Sequence, residues 1–128
     1  MSVLQKEILL VGSRGSRRCS ALFDSGSSYS IVRRDIAESL QPLSPLANPD
    51  DWVFETAKAG DTLRAAFSVA LTFRFDDSAA SFTDIFIVID ECSEQVVIGA
   101  KTLQSSQIVL DFKEESILYR KTAERLRI

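Results

Sequence analysis

From Leu63 to Phe75 every second residue is apolar: Leu63, Ala65, Phe67, Val69, Leu71, Phe73 and Phe75. Arg64, Ser68, Thr72 and Arg74 fall between them. Successive side chains of a strand point to opposite faces, so this spacing predicts one long strand with a buried face and a wet face. Other segments repeat the theme. Val3 to Val11 and Arg17 to Phe23 read as a hairpin joined at Gly12-Ser13-Arg14-Gly15-Ser16. The unbroken run Ile85 to Ile89 predicts a strand covered on both faces. Val96–Ile98 is a further short strand, and Ile108–Phe112 with Ile117–Tyr119 forms a hairpin across Lys113-Glu114-Glu115. Helical spacing is confined to Arg33–Leu40, with Ile36, Ala37 and Leu40 on one face, and to Ala100–Ser105. All three prolines lie between Gln41 and Asp51, which predicts an irregular loop.

These readings give an all-β fold with one or two short helices. A chain of 128 residues is long enough for one proper core and too short for two, so residues 1–128 are expected to form a single domain. Residues 121–128 read as a charged C-terminal tail, with Lys121, Arg125 and Arg127 on a solvated face.

The chain contains no histidine. That excludes Ser-His-Asp and Cys-His nucleophilic systems and most zinc sites, so neither a metal nor another cofactor is expected. Hydrolytic chemistry here has to rest on carboxylates, lysines or hydroxyls. A formal net charge of −3 argues against nucleic acid as a partner. Cys19 and Cys92 each sit in an apolar run and read as buried free thiols, which fits a reducing compartment. The run Ile8–Val11 is too short for a signal-peptide core, and no stretch reaches the roughly 18 apolar residues of a membrane span. A cytoplasmic setting for this segment is therefore favoured.

One segment carries the chemistry. In Ala21-Leu22-Phe23-Asp24-Ser25-Gly26-Ser27-Ser28-Tyr29-Ser30 an apolar strand delivers a carboxylate into a turn of small hydroxyl residues and a glycine. Asp-Ser-Gly alone is a common surface turn, because Asp bonds its own backbone and Gly accepts unusual φ. Here, however, the flanks Cys19–Phe23 and Ile31-Val32 are apolar, and a second segment, Val96-Val97-Ile98-Gly99-Ala100-Lys101-Thr102-Leu103, stands far downstream. Together the two segments resemble the signatures of retropepsin-like aspartic proteases, and the order of strands from Ile8 to Tyr119 is similar to that fold.

The resemblance implies a barrel that works as a homodimer and cleaves peptide bonds, with peptide or protein as substrate. Asp24 would be the catalytic residue of each subunit. Ser25 would bond across the dimer, Gly26 would let its N–H approach the carboxylates, and Ser27 would stay small beneath them. Ile98 and Gly99 would pack beside the catalytic loop. A substrate-covering flap would span Phe54–Leu63, with Ala57, Lys58, Ala59, Gly60 and Asp61 at its tip. The sequence departs from the pattern at Lys101-Thr102, where many relatives carry an acidic residue or Asn, in lacking a flap tyrosine, and in placing Arg33-Arg34 soon after the catalytic strand. The alternative is a retropepsin-shaped module kept for dimerisation or peptide binding inside a larger protein.

Overall fold

The structure is a computed structural model that describes residues 3–55 and 62–128. The chain begins with a long hairpin, β1 (Val3–Gly12) and β2 (Gly15–Asp24), whose pairing runs from Gly12 opposite Gly15 to Val3 opposite Asp24. There follow β3 (Ile31–Arg33), α1 (Arg34–Leu40), β4 (Ser44–Pro45) and a 3-10 turn at Pro49–Asp51. Next come β5 (Val53–Glu55), β6 (Thr62–Arg64), β7 (Phe67–Arg74), β8 (Ser81–Ile89) and β9 (Val96–Ile98). The chain closes with α2 (Ala100–Ser105), β10 (Ile108–Asp111), β11 (Ser116–Tyr119) and β12 (Glu124–Arg127).

The main sheet runs β1-β2-β9-β3-β8-β7, and β1 also pairs with β7, so the sheet closes on itself as a barrel. Closure removes the open edges that invite wrong pairing. β4 attaches outside β7, β5 and β6 form a separate ribbon, and β10, β11 and β12 form a three-stranded sheet.

The barrel is filled by side chains including Ile8, Leu10, Phe23, Val32, Ile36, Leu71, Phe73, Phe75 and Phe86, all at most 1% exposed. A second cluster holds Ala65, Ile87 and Ile89, against which Tyr29, Ile31, Leu46, Trp52, Phe54, Leu63 and Cys92 pack. The two clusters explain the continuous apolar run in β8. Phe86 and Val88 face the barrel, while Ile87 and Ile89 face the second cluster. Ile85 departs from expectation, since it is 62% exposed and not covered.

Two other expectations need correction. The Leu63–Phe75 stretch is not one strand. It breaks at Ala65-Ala66, where the Ala65 N–H donates to the Trp52 carbonyl (3.0 Å) and the Ala66 carbonyl accepts from the Leu46 N–H (2.9 Å). Alternating burial survives the break because Leu63 and Ala65 serve the second cluster while Val69 to Phe75 serve the barrel. Residues 121–128 are not a solvated tail either. β12 pairs antiparallel with β11 and inserts Leu126, 3% exposed, into the main core opposite Ile117. Arg125 and Arg127 lie on the other face, where Arg125 meets Asp111 at 2.8 Å. Both cysteines are free, as expected, but only Cys19 is buried and Cys92 is half-buried.

Candidate active site

The site follows from the order β2-β9-β3. β9 lies between two strands that are close in sequence, parallel to β2 (Phe23 opposite Ile98) and antiparallel to β3 (Ile31 opposite Val97). The loop that joins β2 to β3, residues 25–30, must therefore cross the C-terminal end of β9. Gly99 stands at that crossing. A Cβ there would lie 2.4 Å from the Tyr29 carbonyl oxygen and 2.7 Å from that of Ser27, both backbone atoms that cannot swing aside. Its φ of −94° would suit any residue, so close approach alone demands glycine.

The crossing is tied by hydrogen bonds. The first amides of α2, which have no partner within a helix, donate to the loop: Ala100 N–H to the Ser27 carbonyl (2.6 Å) and Lys101 N–H to the Ser28 carbonyl (3.2 Å). Beneath them Ser30 is buried. Its Oγ accepts from the Gly99 N–H at 3.0 Å and lies 2.6 Å from the Thr102 hydroxyl. Thr102, part of a departure from the pattern, thus completes a satisfied buried network.

Alternation along β2 sets the carboxylate. Cys19, Ala21 and Phe23 point into the barrel, so Leu22 and Asp24 take the opposite face. The Gly26 N–H donates to Asp24 Oδ1 at 2.8 Å, and the Ser27 N–H donates to the Asp24 carbonyl at 3.2 Å. Ser27 Oγ in turn donates to the Tyr29 carbonyl at 2.8 Å. The carboxylate is thereby oriented while its residue stays half-exposed.

Asp24 opens onto a cleft of about 950 Å³. Leu22, Ile31, Val97, Leu46 and Leu63 give it an apolar lining, and Gly26, Ser27 and Ser28 border the carboxylate. Tyr29, Trp52 and Phe54 form an aromatic wall, with the Tyr29 and Trp52 rings 5.0 Å apart and edge-on. The β5–β6 ribbon, with Phe54 opposite Leu63, supplies the base of the expected flap. The flap-tip residues Ala57, Lys58, Ala59, Gly60 and Asp61 lie outside the described residues. Ser25 turns away from the cleft toward a separate depression bordered by Ala100, Leu103, Val109 and Phe112.

Among the sequence candidates, Asp24, Gly26 and Ser27 meet at the cleft, and Ile98-Gly99 lies directly under their loop. Leu22, Tyr29, Ile31, Asp51, Glu94 and Val97 also line the cleft, beyond the candidates expected from the sequence. Leu22 was within reach, because it shares a strand face with Asp24. The others come together only through the fold. Cys19 offers no competing nucleophile: it is buried, and burial pushes its thiol above the usual range, away from thiolate. Among the described residues no group of His, Cys, Asp and Glu is arranged to hold a metal ion.

No protein-family model matches the sequence, and no curated protein matches it. Solved structures do. The retroviral protease-like domain of Ddi1 from Leishmania major superposes with a TM-score of 0.64 at 15% identity, over 98% of this chain and 94% of that one. The fold is retropepsin-like. EIAV protease in complex with the inhibitor HBY-793 superposes with a TM-score of 0.52 at 14% identity, over 80% of this chain and 86% of that one. The Ddi1 match covers more of the chain than the Ile8–Tyr119 stretch on which the sequence resemblance rests. No helix among the described residues is long and apolar enough to cross a membrane.

Proposed function

We propose that this chain is a single retropepsin-like domain acting as a homodimeric aspartic endopeptidase, in which each subunit supplies one Asp24. The observation that carries the reading is the placement of Asp24. A carboxylate oriented by the Gly26 N–H, on a loop clamped over Gly99, opens onto a cleft large enough for an extended peptide.

Peptide hydrolysis needs an activated water and a proton for a poor leaving group. Two carboxyls about 3 Å apart cannot both ionise, so the pair holds one proton between them. The ionised Asp24 takes a proton from water as the water oxygen bonds to the scissile carbonyl carbon. The protonated Asp24 of the other subunit gives its proton to the carbonyl oxygen. The resulting diol collapses, the C–N bond breaks, and the amine leaves with a proton returned from the pair. The chain contains one Asp-Ser-Gly, so the second carboxyl has to come from a second copy.

Asp24→Asn tests the reading. An amide nearly keeps the shape and can still accept from the Gly26 N–H, but it can neither serve as base nor share the proton. Cleavage of casein or of a proteome-derived peptide library is expected to drop to background, with an unchanged thermal melt. Turnover like that of the native protein in the Asn variant would remove Asp24 from the chemistry. No cleavage by the native dimer would favour the peptide-binding module.

A further inference from the structure

Among the described residues the cleft is charged in one sign only. Among the described residues that line it, the charged side chains are Asp24, Asp51 and Glu94. Asp51 closes the 3-10 turn beside the ribbon, and Glu94 lies in the loop that leads into β9, so the two reach the cleft from different elements. Among the described residues neither makes an ion pair, whereas the neighbouring Asp50 meets Arg64 at 3.5 Å. Lys101 does not line the cleft, but its ammonium stands 4.3 Å from the centre of the Tyr29 ring. That ring therefore already takes a cation on its face. Trp52 and Phe54 present two further rings on the same wall. Aromatic faces attract cations, with tryptophan the strongest of the three ring types.

We propose that the cleft selects an extended peptide in which Lys or Arg lies within two residues of a large apolar side chain. The apolar side chain fits the lining of Leu22, Ile31, Leu63 and Val97. The basic side chain lays its methylenes along the aromatic wall and brings its charge to Asp51 or Glu94. An acidic peptide meets like charge at both carboxylates. This selectivity rests on the peptide-cleft reading of the site above, but it is a property of binding and does not require turnover.

Trp52 is the chain's sole tryptophan and lines the cleft, so its fluorescence reports occupancy. The experiment titrates Asp24→Asn protein with peptides sharing a Leu-Phe core and flanked by Lys, norleucine or Glu, at low and high salt. The Lys-flanked peptide is expected to bind roughly fivefold to tenfold more tightly than the Glu-flanked one at low salt, since each exposed pair contributes modestly. Salt should shrink the gap, and the double substitution Asp51→Asn with Glu94→Gln should close it. Equal affinity for all three peptides, a preference for Glu, or no Trp52 response to any of them would overturn the proposal. Casein cleavage by the native protein is assayed in parallel. Cleavage without the charge preference sinks the selectivity alone. Preference without cleavage keeps the cationic occupant and removes the protease reading.

Discussion

Ser30 is where the loop after Asp24 is tied to the end of β9. It is 2% exposed, and its hydroxyl oxygen serves two partners, the Gly99 N–H and the Thr102 hydroxyl. Ser30→Ala strands a buried N–H and a buried hydroxyl together. Leaving such groups unpaired costs about 1–3 kcal/mol each, so the melting temperature is expected to fall by roughly 10 °C. Activity should fall further than stability, because the same bonds hold the loop that carries Asp24. Thr102→Val removes one partner and keeps the other, so it should be milder on both counts. Melting curves and peptide turnover of the two variants check this. Equal, negligible losses would show that the network does not brace the loop. The sequence made part of this legible. Asp24 and Gly99 stand out because their neighbours are fixed by local chemistry: a strand end, a tight turn, an apolar pair before glycine. Thr102 looked like a departure because its value lies in a hydroxyl 72 positions earlier in the chain. The aromatic wall of Tyr29, Trp52 and Phe54 was hidden for the same reason, since ring contacts join Tyr29 to the separate Trp52-Val53-Phe54 segment.

At the scale of elements, periodicity found the strands and misjudged how they end. Alternation reports which face is buried, and it ran unbroken through Ala65-Ala66 because both cores want apolar residues at the same spacing. The break itself comes from tertiary hydrogen bonds to Trp52 and Leu46, which leave no local signal. β12 was missed for a different reason. With Arg125 and Arg127 flanking a single buried Leu126, four residues give too short a pattern to read, and charge dominates the composition. The strand is nevertheless part of the core. Truncating a buried leucine costs about 2–5 kcal/mol, so Leu126→Ala is expected to lower the melting temperature by roughly 10 °C. Ile85→Ala, at a site 62% exposed, is the matched control and should change little. Differential scanning calorimetry separates the two. Equal stability of both variants would return residues 121–128 to the status of a tail.

The whole molecule presents one more surface that bears on the proposed chemistry. Ser25 borders a shallow depression with Ala100, Leu103, Gln104, Ile108, Val109 and Phe112, on the other side of the Asp24 loop from the cleft. Val109 is 38% and Phe112 40% exposed, and among the described residues β10 pairs only with β11, which leaves its other edge open there. An open edge with exposed apolar side chains is a ready template for pairing with another chain. The proposed homodimer has to bring a second Asp24 to the first across a two-fold axis, and we propose that this surface, which includes the neighbouring Ser25, is what the second copy covers. If each copy carries half of the dyad, activity must depend on association. Specific activity is then expected to fall on dilution, in step with the appearance of monomer in sedimentation velocity runs. Phe112→Asp places a charge in that surface and should raise the dimer dissociation constant at least tenfold, equivalent to about 1.4 kcal/mol. High protein concentration should restore its turnover, because the variant leaves Asp24 and the cleft untouched. That recovery separates a weakened dimer from a damaged site. A protein that sediments as a monomer throughout and cleaves peptide with constant specific activity would refute the shared dyad, and the second carboxyl would then have to be sought within one chain.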